Sequence, residues 1–78
     1  MLLIITSQEG VLFSGEIKNV QFPGVLGNFQ VLNHHAPLVS LLADGSILYE
    51  TDKDMDKIRV KSGILALNKG QLKVCLDA

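Results

Sequence analysis

Ile64-Leu-Ala-Leu-Asn-Lys-Gly-Gln-Leu-Lys-Val-Cys-Leu76 decides the fold class. From Gln71 to Leu76 apolar and polar positions alternate, with Leu72, Val74 and Leu76 on one side and Lys73 and Cys75 on the other. Side chains of period two line one face of an extended strand. Asn68-Lys69-Gly70 before it is a turn signal, so Ile64–Leu67 is expected to fold back and pair with this strand. Upstream, Lys57–Lys61 alternates in the same way, with Ile58 and Val60 inward and Arg59 outward.

The same grammar extends towards the N-terminus. Leu2–Thr6, Val11–Phe13, Glu16–Phe22, Asn28–Leu32, Pro37–Leu42 and Ser46–Tyr49 read as short strands. Ile17 interrupts the alternation of the third, which fits a bulge. Phe29 and Val31 are expected to face inward. Pro23-Gly24 reads as a turn and Asp44-Gly45 as a hairpin turn. Seven glycines recur at spacings too short for helices, and no apolar i, i+3, i+4, i+7 pattern lasts three turns. The expected fold is all-β: a small β-sandwich or flattened barrel of about eight to ten short, mostly antiparallel strands. With 78 residues there is length for one domain, spanning 1–78.

Bulk chemistry narrows the function. A domain this size buries about 60% of the surface its unfolded chain exposes, so its core is small. Cys75 is the single cysteine, so no disulfide framework is expected, which suits a reducing compartment. Net charge is −1, which gives no electrostatic case for nucleic acid. Met1–Ile5 is apolar but short and lacks the basic flank of a signal peptide. Ala36–Ala43 falls far short of the roughly 20 residues of a membrane helix. The distribution of charge is more telling than its total: Asn19–Ala43 holds 25 residues and no Asp, Glu, Lys or Arg. So small a domain cannot bury all of such a segment, and charge depletion marks interface cores. A partner surface is expected within it.

Catalytic and ligand motifs fail on chemistry. Asp52-Lys-Asp-Met-Asp56 begins like a calcium loop, but Lys57 stands where a glycine must turn and Gly63 where a bidentate glutamate must close the site. It reads as a solvated hairpin loop. His34 and His35 are adjacent, so on extended backbone they point apart, and no third metal ligand accompanies them. An imidazole setting the turn before Pro37 by hydrogen bonding is the expected use. Gly24-Val-Leu-Gly27 lacks the Lys-Ser/Thr of a phosphate loop, and no serine has a triad-like neighbourhood. No enzyme activity, cofactor or metal is expected.

Five fragments in order then become specific: Ser7-Gln-Glu-Gly-Val-Leu-Phe-Ser-Gly-Glu-Ile17, Phe22-Pro-Gly24, Gly27-Asn-Phe-Gln-Val-Leu-Asn-His-His-Ala-Pro-Leu38, Ala43-Asp-Gly-Ser-Ile47 and Lys61-Ser-Gly-Ile-Leu65. The series covers nearly the whole chain. It closely resembles the N-terminal β-sandwich domain of the F-type ATP synthase epsilon subunit (delta in mitochondrial naming). The resemblance implies a non-catalytic subunit of the rotating central stalk. Such a subunit links the gamma subunit to the loops of the membrane c-ring and helps couple ion flow to ATP synthesis. By position, Gly27, Asn28 and Phe29 resemble the c-ring-facing tip, and His35, Leu38, Val39 and Ser40 part of the gamma-facing side. The implied location is peripheral, on the cytoplasmic face of a bacterial inner membrane or the matrix or stromal face of an organelle. Membrane contact would run only through the c-ring, with no nucleic acid and no nucleotide bound to this domain.

The chain departs from the family pattern in places. Asn28 stands where a carboxylate is usual, Gln30 where glycine is frequent, and Ser62-Gly63 where a glycine pair is usual. His34 occupies a variable turn position. The family's C-terminal helical hairpin, used for inhibition, is not expected after Ala78. The reading of a different class is a generic small β-barrel module that binds a protein or peptide. The ordered motif series separates the two, because a generic module does not need it.

Overall fold

A computed structural model describes residues 1–32 and 34–77. Ala78, and Asn33 within the Gly27–Leu38 fragment, lie outside the described residues. The chain forms β1 (Leu2–Ser7), β2 (Gly10–Glu16), β3 (Asn19–Gly24), β4 (Gly27–Val31), β5 (Leu38–Leu42), β6 (Gly45–Glu50), β7 (Met55–Val60), β8 (Gly63–Asn68) and β9 (Gln71–Leu76). Among the described residues there is no helix.

Pairing follows the order β2-β1-β9-β8-β5-β3-β6-β7, with β4 on β3. All of these pairings are antiparallel except β1 with β9. The sheet curls over on itself. β2-β1-β9-β8-β5 makes one layer and β4-β3-β6-β7 the other, joined at a corner where Gly24 pairs with Leu42. Inward side chains come from both layers. Leu3, Ile5, Leu65, Leu72 and Val74 meet Val20, Phe22, Val31, Ile47 and Val60, all buried. Phe13 crosses the gap to pack on Tyr49, the ring centroids 4.4 Å apart and the planes tilted by 43°. Alternation in β9 places Leu72, Val74 and Leu76 inward as the sequence indicates. The turn after β8 closes with Lys69 and Gly70, both at positive φ (51° and 75°), the backbone of a tight hairpin whose twist suits the strands.

Three local expectations are corrected. β2 runs to Glu16 and β3 begins at Asn19, so Ile17 is not a bulge. It is a buried corner residue whose N–H donates to the Met1 carbonyl at 2.9 Å. The bulge lies in β2 instead, where Ile5 pairs with Phe13 and Thr6 with Val11, leaving Leu12 unpaired. Pro23 and Gly24 belong to β3, and the turn is made by Val25 and Leu26. Proline is tolerated there because β3 bonds β6 only through Asn19–Gln21 and β5 only at Gly24. The Pro23 carbonyl accepts from the Ala43 N–H at 2.7 Å on that side, and no ladder partner calls for the missing donor. Finally, Asp44-Gly45 does not close a hairpin. β5 pairs with β8 and β6 with β3 and β7, so the chain crosses here from one layer to the other.

Candidate partner-binding surface

Register places the outward side chains of the first layer in rows. Leu41, Ile64, Cys75, Thr6 and Val11 lie side by side across β5, β8, β9, β1 and β2. The next row is Val39, Ala66, Lys73, Ile4 and Ser14, and beyond it Asn68, Gln71, Leu2 and Glu16. The first row carries no charge, the second one lysine, and the third is mostly polar. This is an apolar centre with a polar border, the anatomy of a protein interface. Val39 is 71% exposed, Leu41 57% and Ile64 44%. The sheet holds these apolar side chains in water although the core beneath is already filled.

The residues singled out by sequence fall in three places. Gly27 and Asn28 are exposed at the β3–β4 hairpin, while Phe29 is half-buried with its ring 5.6 Å from that of Phe22. Leu38, Val39 and Ser40 lie in β5, next to that hairpin. A hollow between the two elements is lined by Gly24–Phe29 and Leu38–Leu41, so these two groups are brought together. Within β5 they face opposite ways. Val39 points out, whereas Leu38 packs on the core and Ser40 is half-buried with its hydroxyl donating to the Leu41 carbonyl at 3.3 Å. His35 does not line this hollow. It opens on a separate cleft beside Leu2, Leu67 and Lys69, and its Nδ1 lies 2.7 Å from the Ala36 carbonyl oxygen, a hydrogen bond within the turn before Pro37.

Sequence reasoning missed Ile4, Thr6, Val11, Ile64, Ala66 and Cys75 as one surface with Val39 and Leu41. The signal was present. Leu2-Leu-Ile-Ile5 and Ile64-Leu-Ala-Leu67 are apolar at both parities. Continuous apolar strands belong to sheets covered on both faces.

Other chemistry is sparse. Asp52 and Asp54 sit in the β6–β7 hairpin loop, where the Thr51 hydroxyl accepts from the Lys53 and Asp54 N–H groups. Among the described residues no three His, Cys, Asp or Glu side chains come together to hold a metal ion, and no helix is long and apolar enough to cross a membrane. The Tyr49 phenol is pushed above its ordinary 10.0 by burial, and further by the charge of Asp56 and a hydrogen bond to it. Asp56 lies opposite Tyr49 on β7.

A β-sandwich with one layer left apolar on its outside presents a candidate binding face. Its lineage is explicit: the chain belongs to the family described as "ATP synthase, Delta/Epsilon chain, beta-sandwich domain", matched over residues 1–78. It is similar to the ATP synthase epsilon chain of Wolinella succinogenes, 43% identical over 72 residues covering 92% of this chain and 50% of that one. The epsilon chain of Rhodopseudomonas palustris is 37% identical over 73 residues, covering 94% and 54%. The chain thus spans about half the length of the curated relatives it matches. In fold it matches a chain of the Euglena gracilis mitochondrial ATP synthase, from a structure of OSCP/F1/c-ring, with a TM-score of 0.90 at 22% identity over 97% of this chain and 49% of that one. A chain from the central stalk/c-ring of the Tetrahymena thermophila enzyme gives 0.83 at 8% identity, covering 100% and 63%.

Proposed function

We propose that this domain is a non-catalytic rotor element of an F-type ATP synthase. It binds the gamma subunit through the outer face of β5-β8-β9-β1-β2 and rests its β3–β4 end on the c-ring, helping to couple ion flow to ATP synthesis. The observation that carries this reading is the uncharged row Leu41–Ile64–Cys75–Thr6–Val11 on an otherwise complete sandwich. Transmitting torque needs a body that does not deform, and a close-packed core supplies one. It also needs a contact without stranded charges, because burying an unpaired charge is costly. In this reading the domain is peripheral to the membrane, on the side that carries the catalytic head, and binds no nucleotide.

The test is capture of the purified domain by its cognate gamma subunit. Stoichiometric binding that is lost on introducing Ile64→Asp supports the assignment. A correctly folded domain that gamma does not retain would leave the generic peptide-binding module as the better reading.

A further inference from the structure

The free edge strands of the two layers are β2, β4 and β7, while β5 is tied to β3 at the corner by the Val25–Leu41 and Ala43–Pro23 bonds. A free edge offers unpaired N–H and C=O groups to any other strand. Two of these edges are blocked. On β7 the Asp54 and Asp56 carboxylates accept from the Met55 and Lys57 N–H groups at 3.0 and 2.8 Å, and Lys57 and Arg59 add charge. On β2 the bulge at Leu12 breaks the ladder, and Glu16 stands at the end. β4 has none of these devices. Gly27–Val31 contains no charge, no proline and no bulge.

Pro23 reveals which backbone groups β4 leaves open. Its carbonyl accepts from the Ala43 N–H, on the side of β3 away from β4. Opposite residues of an antiparallel ladder alternate between bonded and non-bonded pairs. Pro23–Asn28 is therefore a non-bonded pair, and so is Gln21–Gln30. The N–H and C=O groups of Asn28 and Gln30 point outward, and among the described residues no hydrogen bond reaches them. Their side chains are exposed amides. Exposed leucines flank them, Leu26 at 100% and Leu32 at 58%. Centred on Phe29, the alternate positions Leu26, Asn28, Gln30 and Leu32 are apolar, amide, amide, apolar in either direction.

We propose that β4 pairs edge to edge with β4 of a second copy of this chain, antiparallel about a two-fold axis at Phe29. Asn28 then exchanges N–H···O bonds with the partner's Gln30, and Gln30 with the partner's Asn28. The same register brings Leu26 beside the partner's Leu32 at each end. A two-fold interface sets a surface against its own copy. Amides suit this because each donates and accepts, whereas a charge near the axis would meet its like. No Asp, Glu, Lys or Arg occurs from Asn19 to Ala43. An extended segment of another protein would use the same backbone groups but has no need of the palindrome. The seam lies on the layer opposite the proposed gamma face, so the pairing stands independently of the rotor reading. It covers the β3–β4 hairpin, and so belongs to the chain outside an assembly that uses that hairpin.

The test is sedimentation velocity of the purified chain. A monomer–dimer equilibrium is expected between about 10 µM and about 1 mM, the range of a small interface. Amide hydrogen exchange at Asn28 and Gln30 should slow about fivefold or more from the low to the high concentration. Gln30→Lys puts on the edge the charge that natural edges use as a defence. Dimerisation should weaken about tenfold or more, with thermal unfolding unchanged because the side chain is exposed. Asn28→Asp should act alike. A one-to-one mixture of the two variants should restore pairing, because the register sets the two new charges opposite each other. A chain that stays monomeric to the highest concentration overturns the proposal. So does a dimer that survives Gln30→Lys and is lost on Ile64→Asp, which assigns self-association to the other layer. Loss in both single variants without recovery in the mixture overturns the antiparallel register.

Discussion

The two layers of this sandwich share one core and present opposite exteriors. On the β5-β8-β9-β1-β2 layer the central row reads Leu41, Ile64, Cys75, Thr6, Val11. On the β4-β3-β6-β7 layer the matching row reads Gln30, Gln21, Leu48, Lys57, and its neighbour Asn19, Glu50, Met55. The second exterior is ordinary: amides, charges and isolated apolar side chains, which any soluble surface carries. The first is not, because a filled core gives no reason to make the outside apolar. The difference also corrects a simple equation of missing charge with an interface. Asn19, Gln21, Asn28 and Gln30 belong to the charge-free stretch yet form a polar face, while Val39 and Leu41 from the same stretch join strands far away in sequence. Apolarity of the outward parity, rather than lack of charge, separates the two faces.

The strongest way to break this contrast is to place a charge on each face. Val39→Asp with Ile64→Asp should weaken gamma binding about a hundredfold or more, about 2.7 kcal/mol, because an unpaired carboxylate would have to be desolvated. Leu48→Asp on the opposite face should change it less than about twofold. Affinities measured by calorimetry on folded variants decide the matter, and equal losses on both faces would abolish the distinction. Ser40 is not equivalent to Val39 in this test. Its half-buried position makes Ser40→Lys a probe of folding as well as of binding. A second prediction concerns the corner where the layers meet. Gly24→Ala would push a methyl group into the Gly27 carbonyl and the Phe29 ring, each 2.8 Å from the new carbon. The expected loss of stability is about 1–3 kcal/mol in chemical denaturation.

The fold was largely legible because its strands advertise their parity. β9 and β7 alternate, Val20 and Phe22 point to one side of β3, and Asn68-Lys69-Gly70 is strong turn chemistry. What escaped was nonlocal. Nothing near Asp44-Gly45 reveals that the chain changes layers there rather than turning back, since the choice depends on β5 finding β8 and β6 finding β3. Pro23 read as a turn because proline lacks a donor, and only the gap beside β3 makes it harmless in a strand. The candidate surface was half visible. Val39 came from the resemblance, but its companions Ile64, Cys75, Thr6 and Val11 are assembled by register, which no single segment encodes.

The polar face should matter to stability and not to binding. Asn19 donates from its side-chain amide to the Glu50 carboxylate at 2.7 Å, in a partly buried position. Asn19→Ala should cost about 1–2 kcal/mol, as expected for a hydrogen bond to a charged group, or roughly 4–8 °C of melting temperature per kcal/mol in a domain of this size. Gamma binding should be unchanged.

The smallest effect is expected where the layers touch. Tyr49 is buried against Phe13, and its phenol is held above 10.0 by that burial, then by the charge of Asp56 and the hydrogen bond to it. All three disfavour the phenolate in the folded state. The folded chain therefore keeps the proton at a pH where the unfolded chain releases it. Its contribution to stability is complete below the ordinary phenol range and declines as pH rises through the folded-state value. Tyr49 is the sole tyrosine and tryptophan is absent, so tyrosinate absorbance reports this one group. Asp56→Asn removes the charge and leaves the burial, so the titration should move down without reaching the free-phenol value. An unmoved titration would mean that burial between the layers, rather than the β7 carboxylate, sets this group.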